Sequence, residues 1–216
     1  FVTRSTLVGV GYTQILDTYL SPAEYAGIEG RFLHERMRMT KLFGGRVSTQ
    51  SMVQSNLAYT ENRSGSGSEF AGMVNWTYGL HYHFPINGNL RILVGGLGDG
   101  NLGFIYNTRN SNNPAQAKAY INLTASAMAF YKFRIGRRPF SVRYQVNVPF
   151  VGAMFSPGYQ QSYYEIFTLG NHDKVVRFTS LHNQPSMRQL LTLDIPVGGT
   201  TLRVGYLGDY QQSKVN

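Results

Sequence analysis

The chain has 216 residues, enough for one barrel or one sizeable globular domain, and only 14% of them are charged, whereas soluble domains average about 25%. It contains no cysteine, which excludes disulfides and thiolate catalysis, and no apolar stretch near the roughly 18 residues that indicate a membrane-spanning helix. The formal net charge of +9 would suit a nucleic-acid partner. The cations lie at predicted strand ends without an RNA-binding signature, however, so we expect no nucleic-acid binding.

The predicted elements are nine strands, which lie in chain order at about 4–16, 28–40, 46–61, 69–85, 89–106, 117–135, 139–150, 186–197 and 200–210. They are indicated by apolar residues at period two, because successive side chains of a strand point to opposite faces. In 140–150 one face is apolar, and the other carries Ser141, Arg143, Gln145 and Asn147. Residues 69–84 and 119–134 alternate in the same way. The whole chain is therefore predicted to be all-β and a single domain.

Three features favour a membrane barrel over a soluble lipocalin-like barrel, which has the same period with reversed polarity. Several strands exceed the roughly 5–6 residues of soluble strands and reach the 9–11 or so that a tilted membrane strand needs. The polar face carries few charges. Aromatic residues near strand ends, such as Tyr82, Phe84, Tyr131 and Phe133, resemble the girdles at membrane interfaces.

The predicted connections alternate strictly between short and long. The short ones lie at 43–45, 87–89, 136–139 and 197–200, where Gly and Asn suit tight hairpins. The long ones lie around 17–27, 62–69, 107–118 and 151–183. In an outer-membrane barrel short turns face the periplasm and long loops face outside, so we expect 151–183 to be extracellular.

An odd number of strands would leave an open edge in lipid, where each unpaired backbone group costs several kcal/mol. Single-chain bacterial barrels usually have an even number. We therefore predict an up-and-down antiparallel barrel of ten strands, with the closing strand beyond Asn216. The alternative is twelve strands, with further strands inside 151–183.

Several segments resemble an uncharacterised family of outer-membrane proteins from Bacteroidota, a domain of unknown function. They are RSTLVGVGYTQILDTYLSP (4–22), HERMRMTK (34–41), YTENRSG (59–65), RNSNNPAQAKAYINL (109–123), RYQVNVP (143–149), MFSPGYQQSYYEIF (154–167) and RFTSLHNQPSMRQLLTLDIPVG (177–198). The resemblance covers nearly the whole chain. It implies a signal peptide upstream and a further strand downstream, and it supplies no activity and no catalytic residues.

The predicted lumen face is polar, and in a narrow barrel its groups must satisfy one another. Pairing of Arg188 or Arg203 with Asp194 would fill the bore, since open pores usually take 16–18 strands. A narrow solute channel stays an alternative. The predicted lumen network comprises Gln54, Asn56, Asn75, Asn122, Arg143, Gln145, Asn147, Arg188, Asp194 and Arg203.

The segment 151–183 suggests two roles. Ser180 and His182 would share a face of an extended segment, and with Ser156 they are candidate residues of a membrane-embedded lipid or lipopolysaccharide hydrolase. No Gly-x-Ser-x-Gly elbow accompanies them. Alternatively the segment is a folded loop whose aromatic residues form a protein-contact surface. The aromatic residues are Phe155, Tyr159, Tyr163, Tyr164 and Phe167.

His81 and His83 lie two apart on one face of a strand, a spacing that could chelate a metal. The sequence indicates no third ligand, so hydrogen bonding in the lumen is the favoured interpretation, and we expect no metal and no cofactor. Cations also gather at the short turns, where they would orient the barrel against phospholipid headgroups or meet an acidic periplasmic partner. They are Arg38, Lys41, Arg46, Arg91, Arg134, Arg137, Arg138 and Arg203.

These observations lead us to expect a non-enzymatic barrel of the bacterial outer membrane, surrounded by lipid. It would act as a structural or accessory subunit beside other outer-membrane or periplasmic proteins. The hydrolase and the narrow channel are the two alternatives.

Overall fold

The period-two alternation gives a molecule built of strands. The computed structural model describes residues 2–111, 114–156, 168–170 and 175–213. Among them, no helix is long and apolar enough to cross a membrane. The strands are β1 (Val2–Ile15), β2 (Tyr25–Met39), β3 (Val47–Asn62), β4 (Ser68–Pro85), β5 (Leu90–Asn107), β6 (Ala115–Ile135), β7 (Arg138–Phe155), β8 (Val176–Ser180), β9 (Met187–Val197) and β10 (Thr200–Tyr210).

The prediction of an all-β, antiparallel, up-and-down barrel is confirmed. Each strand pairs with the next along the path β1-β2-β3-β4-β5-β6-β7-β9-β10, and the short strand β8 pairs beside this path with β7. Nine predicted strands correspond to the path, and β8 is an addition that lies within the predicted loop 151–183. The loop therefore contains one strand that the main prediction did not include.

The sheet curls until its two edges almost meet. The first and last strands of the path, β1 and β10, point in the same direction, and no ladder joins them among the described residues. Side chains nevertheless bridge the gap, because the Arg203 guanidinium on β10 donates to Ser5 Oγ on β1 at 2.8 Å. The result is a nearly closed barrel, and the predicted closing strand beyond Asn216 stays a prediction.

The connections define two ends of the barrel. The hairpin end holds the connections 40–46, 86–89, 136–137 and 198–199, and the loop end holds 16–24, 63–67, 108–114 and the long segment between β7 and β9. Gly136 and Gly198 both have φ of 59°, as tight hairpins require. The strict alternation of lengths was wrong at one point, since 63–67 is shorter than 40–46. The turn Leu42–Gly44 accounts for the extra length there.

Polarity in this barrel is the reverse of that in a soluble protein. Outward side chains such as Val10 and Leu57 are 95% and 69% exposed. Inward side chains such as Gln50, His81 and Gln145 are at most 1% exposed. The interior is therefore a polar lumen, and a small apolar cluster lies at its loop end, formed by Tyr19, Leu20 and Ile105 with Ile15 and Ala71.

Candidate functional site

The candidate site is the lumen, and its centre is one buried carboxylate. Glu35 on β2 accepts two hydrogen bonds from Nη1 of Arg143 on β7, at 2.7 and 2.8 Å. Gln50 Nε2 donates to the same carboxylate at 2.6 Å, and Arg203 Nη1 donates at 3.1 Å. The strands β2, β3, β7 and β10 are thus tied together across the bore. Charge-assisted bonds of this kind are about twice as strong as neutral ones.

Amides continue this layer towards the other wall. Gln50 and Gln145 exchange hydrogen bonds of 3.1 and 3.0 Å across the lumen. Gln145 also donates to the Ser126 hydroxyl and to Asn147 Oδ1, at 3.3 and 3.0 Å. All four of these side chains are buried, so each hydrogen bond offsets the cost of removing a polar atom from water.

A missing side chain lets one bond of the network cross a whole strand. His81 on β4, Gly95 on β5 and Ser126 on β6 stand side by side in register. Because Gly95 has no Cβ, the His81 ring passes over it and its Nε2 lies 2.8 Å from Ser126 Oγ. The Ser126 hydroxyl in turn donates to Asn147 Oδ1 at 2.7 Å.

A second cluster of charged side chains lies in the loop-end half of the lumen. The Arg188 guanidinium on β9 donates to Asp209 at 3.0 Å and to Asn75 Oδ1 at 3.0 Å. Arg31 on β2 donates to the same Asp209 oxygen at 3.1 Å and also pairs with Glu29. Each guanidinium therefore faces at least one carboxylate.

Contacts near the loop end join residues of the connections to the strands. Asp17, in the connection between β1 and β2, pairs with Lys118 of β6. Tyr120 donates its hydroxyl proton to Gln211 at 2.7 Å. One cavity in this half, lined by residues such as Asn101, Tyr120 and Arg188, measures about 20 Å³, room for about one water molecule.

The hairpin end holds a larger cavity. A cavity of about 350 Å³ begins at the hairpins and ends at the Glu35–Arg143 layer. We call it the vestibule. Its lining combines apolar side chains, hydroxyls and cations, among them Met37, Met39, Ser48, His83, Arg91, Leu93, Phe130, Lys132, Ser141, Asp194, Thr201 and Arg203.

The residues of the predicted lumen network lie inside the barrel. Arg203 pairs with Asp194 at 2.6 Å, whereas Arg188 pairs with Asp209. Asn56 donates to Glu29 at 3.2 Å. Seven of the ten are buried, namely Gln54, Asn75, Asn122, Arg143, Gln145, Asn147 and Arg188.

Sequence reasoning missed the carboxylates that organise this network. Glu35 and Asp209 accept more charged hydrogen bonds than the predicted Asp194. The strand β2 hides the signal, because its inward face carries Leu33 and Met37 while its outward face carries His34 and Arg36. The sequence hint is that Glu35 lies two residues from both Leu33 and Met37, which places it on the same face of β2 as these apolar residues.

The other candidates fall in different places. Ser180 Oγ and His182 Nδ1 are hydrogen-bonded within an exposed turn, and Ser156 is buried, with its amide donating to Val175 O. Phe155 lies on β7 opposite Val176. The remaining aromatic residues of the predicted contact surface, Tyr159, Tyr163, Tyr164 and Phe167, lie outside the described residues.

The two histidines of the weak metal prediction bind hydroxyls. His81 contacts Ser126, and His83 Nε2 lies 2.8 Å from Ser48 Oγ. In the described part of the chain, no three His, Asp or Glu side chains are grouped as a metal site would require.

The whole chain, residues 1–216, matches the sequence model of a family described as Protein of unknown function (DUF3316). The predicted resemblance to an uncharacterised domain family is confirmed, while the Bacteroidota origin stays a prediction. No curated protein and no solved structure matches the chain.

Proposed function

We propose that this chain, which belongs to the DUF3316 family, is an integral β-barrel of the bacterial outer membrane and a structural or accessory subunit of a protein assembly there. The observation that carries the proposal is the reversed polarity of the barrel. Large apolar side chains dominate the outside of its wall, and polar side chains such as Glu35, Arg143 and Arg188 are bonded to other polar groups inside.

The outward face supports a lipid environment. Large exposed apolar side chains occur on strands around the barrel, for example Val8, Leu57, Leu102, Ile121 and Tyr206. Soluble monomers rarely expose contiguous apolar patches beyond a few hundred Å². Burying such a surface in lipid gains about 25 cal/mol per Å², so a bilayer is the solvent that this wall fits.

The filled lumen favours a non-conducting role. The Glu35–Arg143 layer crosses the bore, and the loop-end half leaves about 20 Å³. A hydrated ion would have to break several charge-assisted bonds to pass. We therefore expect planar-bilayer recordings to show no discrete conductance, and a reproducible single-channel step would overturn this part of the proposal.

The two barrel edges support association with another strand or chain. Backbone groups on the facing edges of β1 and β10 form no ladder within the described residues. In a bilayer such groups must find hydrogen-bond partners. Purification from native membranes in mild detergent should thus yield the protein with stoichiometric partners, and a strictly monomeric preparation would contradict the accessory role.

The single tryptophan gives a direct test of the membrane location. Trp76 points outward from β4 and is 59% exposed. After reconstitution into vesicles whose lipids carry bromine on the acyl chains, its fluorescence should fall strongly, because bromine quenches only on contact.

The control moves the tryptophan out of the bilayer. In Trp76→Phe/Ser64→Trp the indole lies in the exposed connection 63–67 at the loop end, and we expect little quenching. Equal quenching of the two proteins, or none of Trp76, would rule out the proposed location.

A hydrolase is the second candidate, and one observation favours it. Ser180 Oγ and His182 Nδ1 are hydrogen-bonded, as a nucleophile and its base would be. A fluorophosphonate probe should then label the wild type and not Ser180→Ala, with Ser5→Ala as control. Labelling that is absent, or that survives Ser180→Ala, would reject this candidate.

A further inference from the structure

The vestibule lies on the hairpin side of the Glu35–Arg143 layer, and the hydrogen bonds of that layer leave it unfilled. At about 350 Å³ it falls in the range of small-molecule pockets. We propose that the vestibule binds a small organic anion, whose charged group is held by Arg91 and Lys132 and whose apolar body packs against Phe130 and Met37. This inference does not depend on the accessory role proposed above.

The register of the strands brings the two cations to one place. Arg91 on β5 stands opposite Phe130 on β6, and Lys132 follows Phe130 on the same face. Both cationic side chains are exposed at the mouth. Neither makes a hydrogen bond or ion pair with a side chain in the part of the chain that the structure describes. They are therefore available to a ligand.

The deeper cations are already neutralised. Arg143 is held by Glu35 at 2.7 Å, and Arg203 is held by Asp194 at 2.6 Å. Cations still outnumber carboxylates in the described lining and floor, which combine Asp194 and Glu35 with Arg38, Arg91, Lys132, Arg143 and Arg203. The field at the mouth is positive, and cations are repelled while anions are attracted.

The walls between the mouth and the floor are apolar. The Phe130 side chain is half-buried, and its ring lies 5.7 Å from the Arg143 guanidinium carbon, within the range of a cation–π contact. Met37 and Met39 complete the opposite wall with flexible thioethers that adapt to ligand shape. An inorganic anion would leave these walls unfilled, so the geometry favours an anionic group on an apolar body.

The floor prevents passage. A ligand that enters from the hairpin end meets the layer in which Glu35, Arg143 and Gln50 are bonded. The vestibule is thus a dead-end binding site. The same chemistry could be supplied by a water-soluble aromatic acid or by a fatty acid from the surrounding membrane.

The test uses 2-naphthoate as a probe with wild-type protein in phosphatidylcholine nanodiscs, followed by titration calorimetry. We expect saturable binding at one site. Arg91→Gln/Lys132→Gln should weaken binding by at least about tenfold, since each lost charged hydrogen bond costs more than 1.4 kcal/mol or so. The matched control is Arg4→Gln/Arg36→Gln, which removes the same charge from the outward face and should bind like the wild type.

A second variant tests the apolar part without changing charge. Thr201→Trp puts a large ring into the vestibule and should also abolish naphthoate binding, which keeps the test valid if the double variant fails to fold. The neutral 2-naphthalenemethanol and the cationic 2-naphthylmethylamine should not bind measurably. Dodecanoate should displace naphthoate if the natural ligand comes from the membrane, and fail to do so if it is soluble.

Four results would overturn the inference. They are absence of saturable binding, equal binding to the double variant and its control, equal binding of the cationic probe, and binding of inorganic phosphate as tight as that of naphthoate. None of them bears on Trp76 quenching, so failure here and failure of the proposed location can be told apart.

Discussion

The two halves of the lumen are formed by the same strands but hold cavities of different volume. Among the described residues, a cavity in the loop-end half measures about 20 Å³, whereas the vestibule in the hairpin-end half measures about 350 Å³. Both halves have polar inward faces. We attribute the difference in cavity volume to the side chains that the connections contribute at each end of the barrel.

At the loop end a longer connection folds inward. Asp17 reaches Lys118, and Tyr19 and Leu20 pack on Ile105. At the hairpin end, connections such as 136–137 and 198–199 contain two residues each and are too short to fold into the lumen. Arg91 and Lys132 at that mouth therefore make no side-chain hydrogen bond or ion pair with the described residues.

The largest effect should come from the layer that divides the halves. Glu35→Gln removes the carboxylate shared by Arg143 and Arg203. It leaves the buried Arg143 guanidinium without a carboxylate, whereas Arg203 keeps Asp194. Breaking a buried pair costs about 3–5 kcal/mol, so we expect a loss of that order in the free energy of unfolding. Urea titration measures it.

The matched control for this substitution is Glu24→Gln, because Glu24 is exposed in the connection between β1 and β2. We expect it to unfold at the wild-type midpoint. If the two variants unfold at the same urea concentration, the carboxylate of Glu35 does not stabilise the barrel.

A somewhat smaller effect is expected from the neighbouring glycines of β5. A Cβ on Gly95 would lie 1.9 Å from the Leu80 carbonyl oxygen and 2.8 Å from the His81 ring, whereas a Cβ on Gly96 would meet nothing within 4 Å. Overpacking costs about 1–3 kcal/mol. Gly95→Ala should therefore lower the unfolding midpoint and Gly96→Ala should not, and similar midpoints would show that close approach at β5 is not needed.

The smallest effect should be a difference in chemical accessibility between the halves. Since the chain has no cysteine, single cysteines can be compared in the hairpin β6–β7. Ser141 lines the vestibule, and Thr124 lines the small cavity with 1% exposure. A water-soluble maleimide should label Ser141→Cys at least about tenfold faster than Thr124→Cys, a factor worth some 1.4 kcal/mol. Equal rates would mean that the loop-end half is open too.

Much of the fold followed from the sequence. Period-two alternation gave the nine strands of the path, because each side chain's face depends only on its place along a strand. Gly136 and Gly198 marked hairpins since their positive φ is local. The short strand β8 was missed, because five residues are too few for a period to be recognised.

The candidate site followed only in part. Alternation was enough to choose inward residues such as Arg143 and Gln145, but not to choose their partners. Glu35 and Arg143 are far apart in sequence and meet at 2.7 Å, and only the curvature and stagger of the sheet bring them together.

What the sequence determined by itself is therefore the wall: which residues point outward, which point inward and where the chain turns, all of them local properties of the backbone. The tertiary structure decided how the inside is used. It brought Glu35 on β2 against Arg143 on β7 and Gln50 on β3 against Gln145 on β7, and it left Arg91 and Lys132 at the hairpin-end mouth. Those outcomes depend on distances across the bore, and such distances exist only once the sheet has curled.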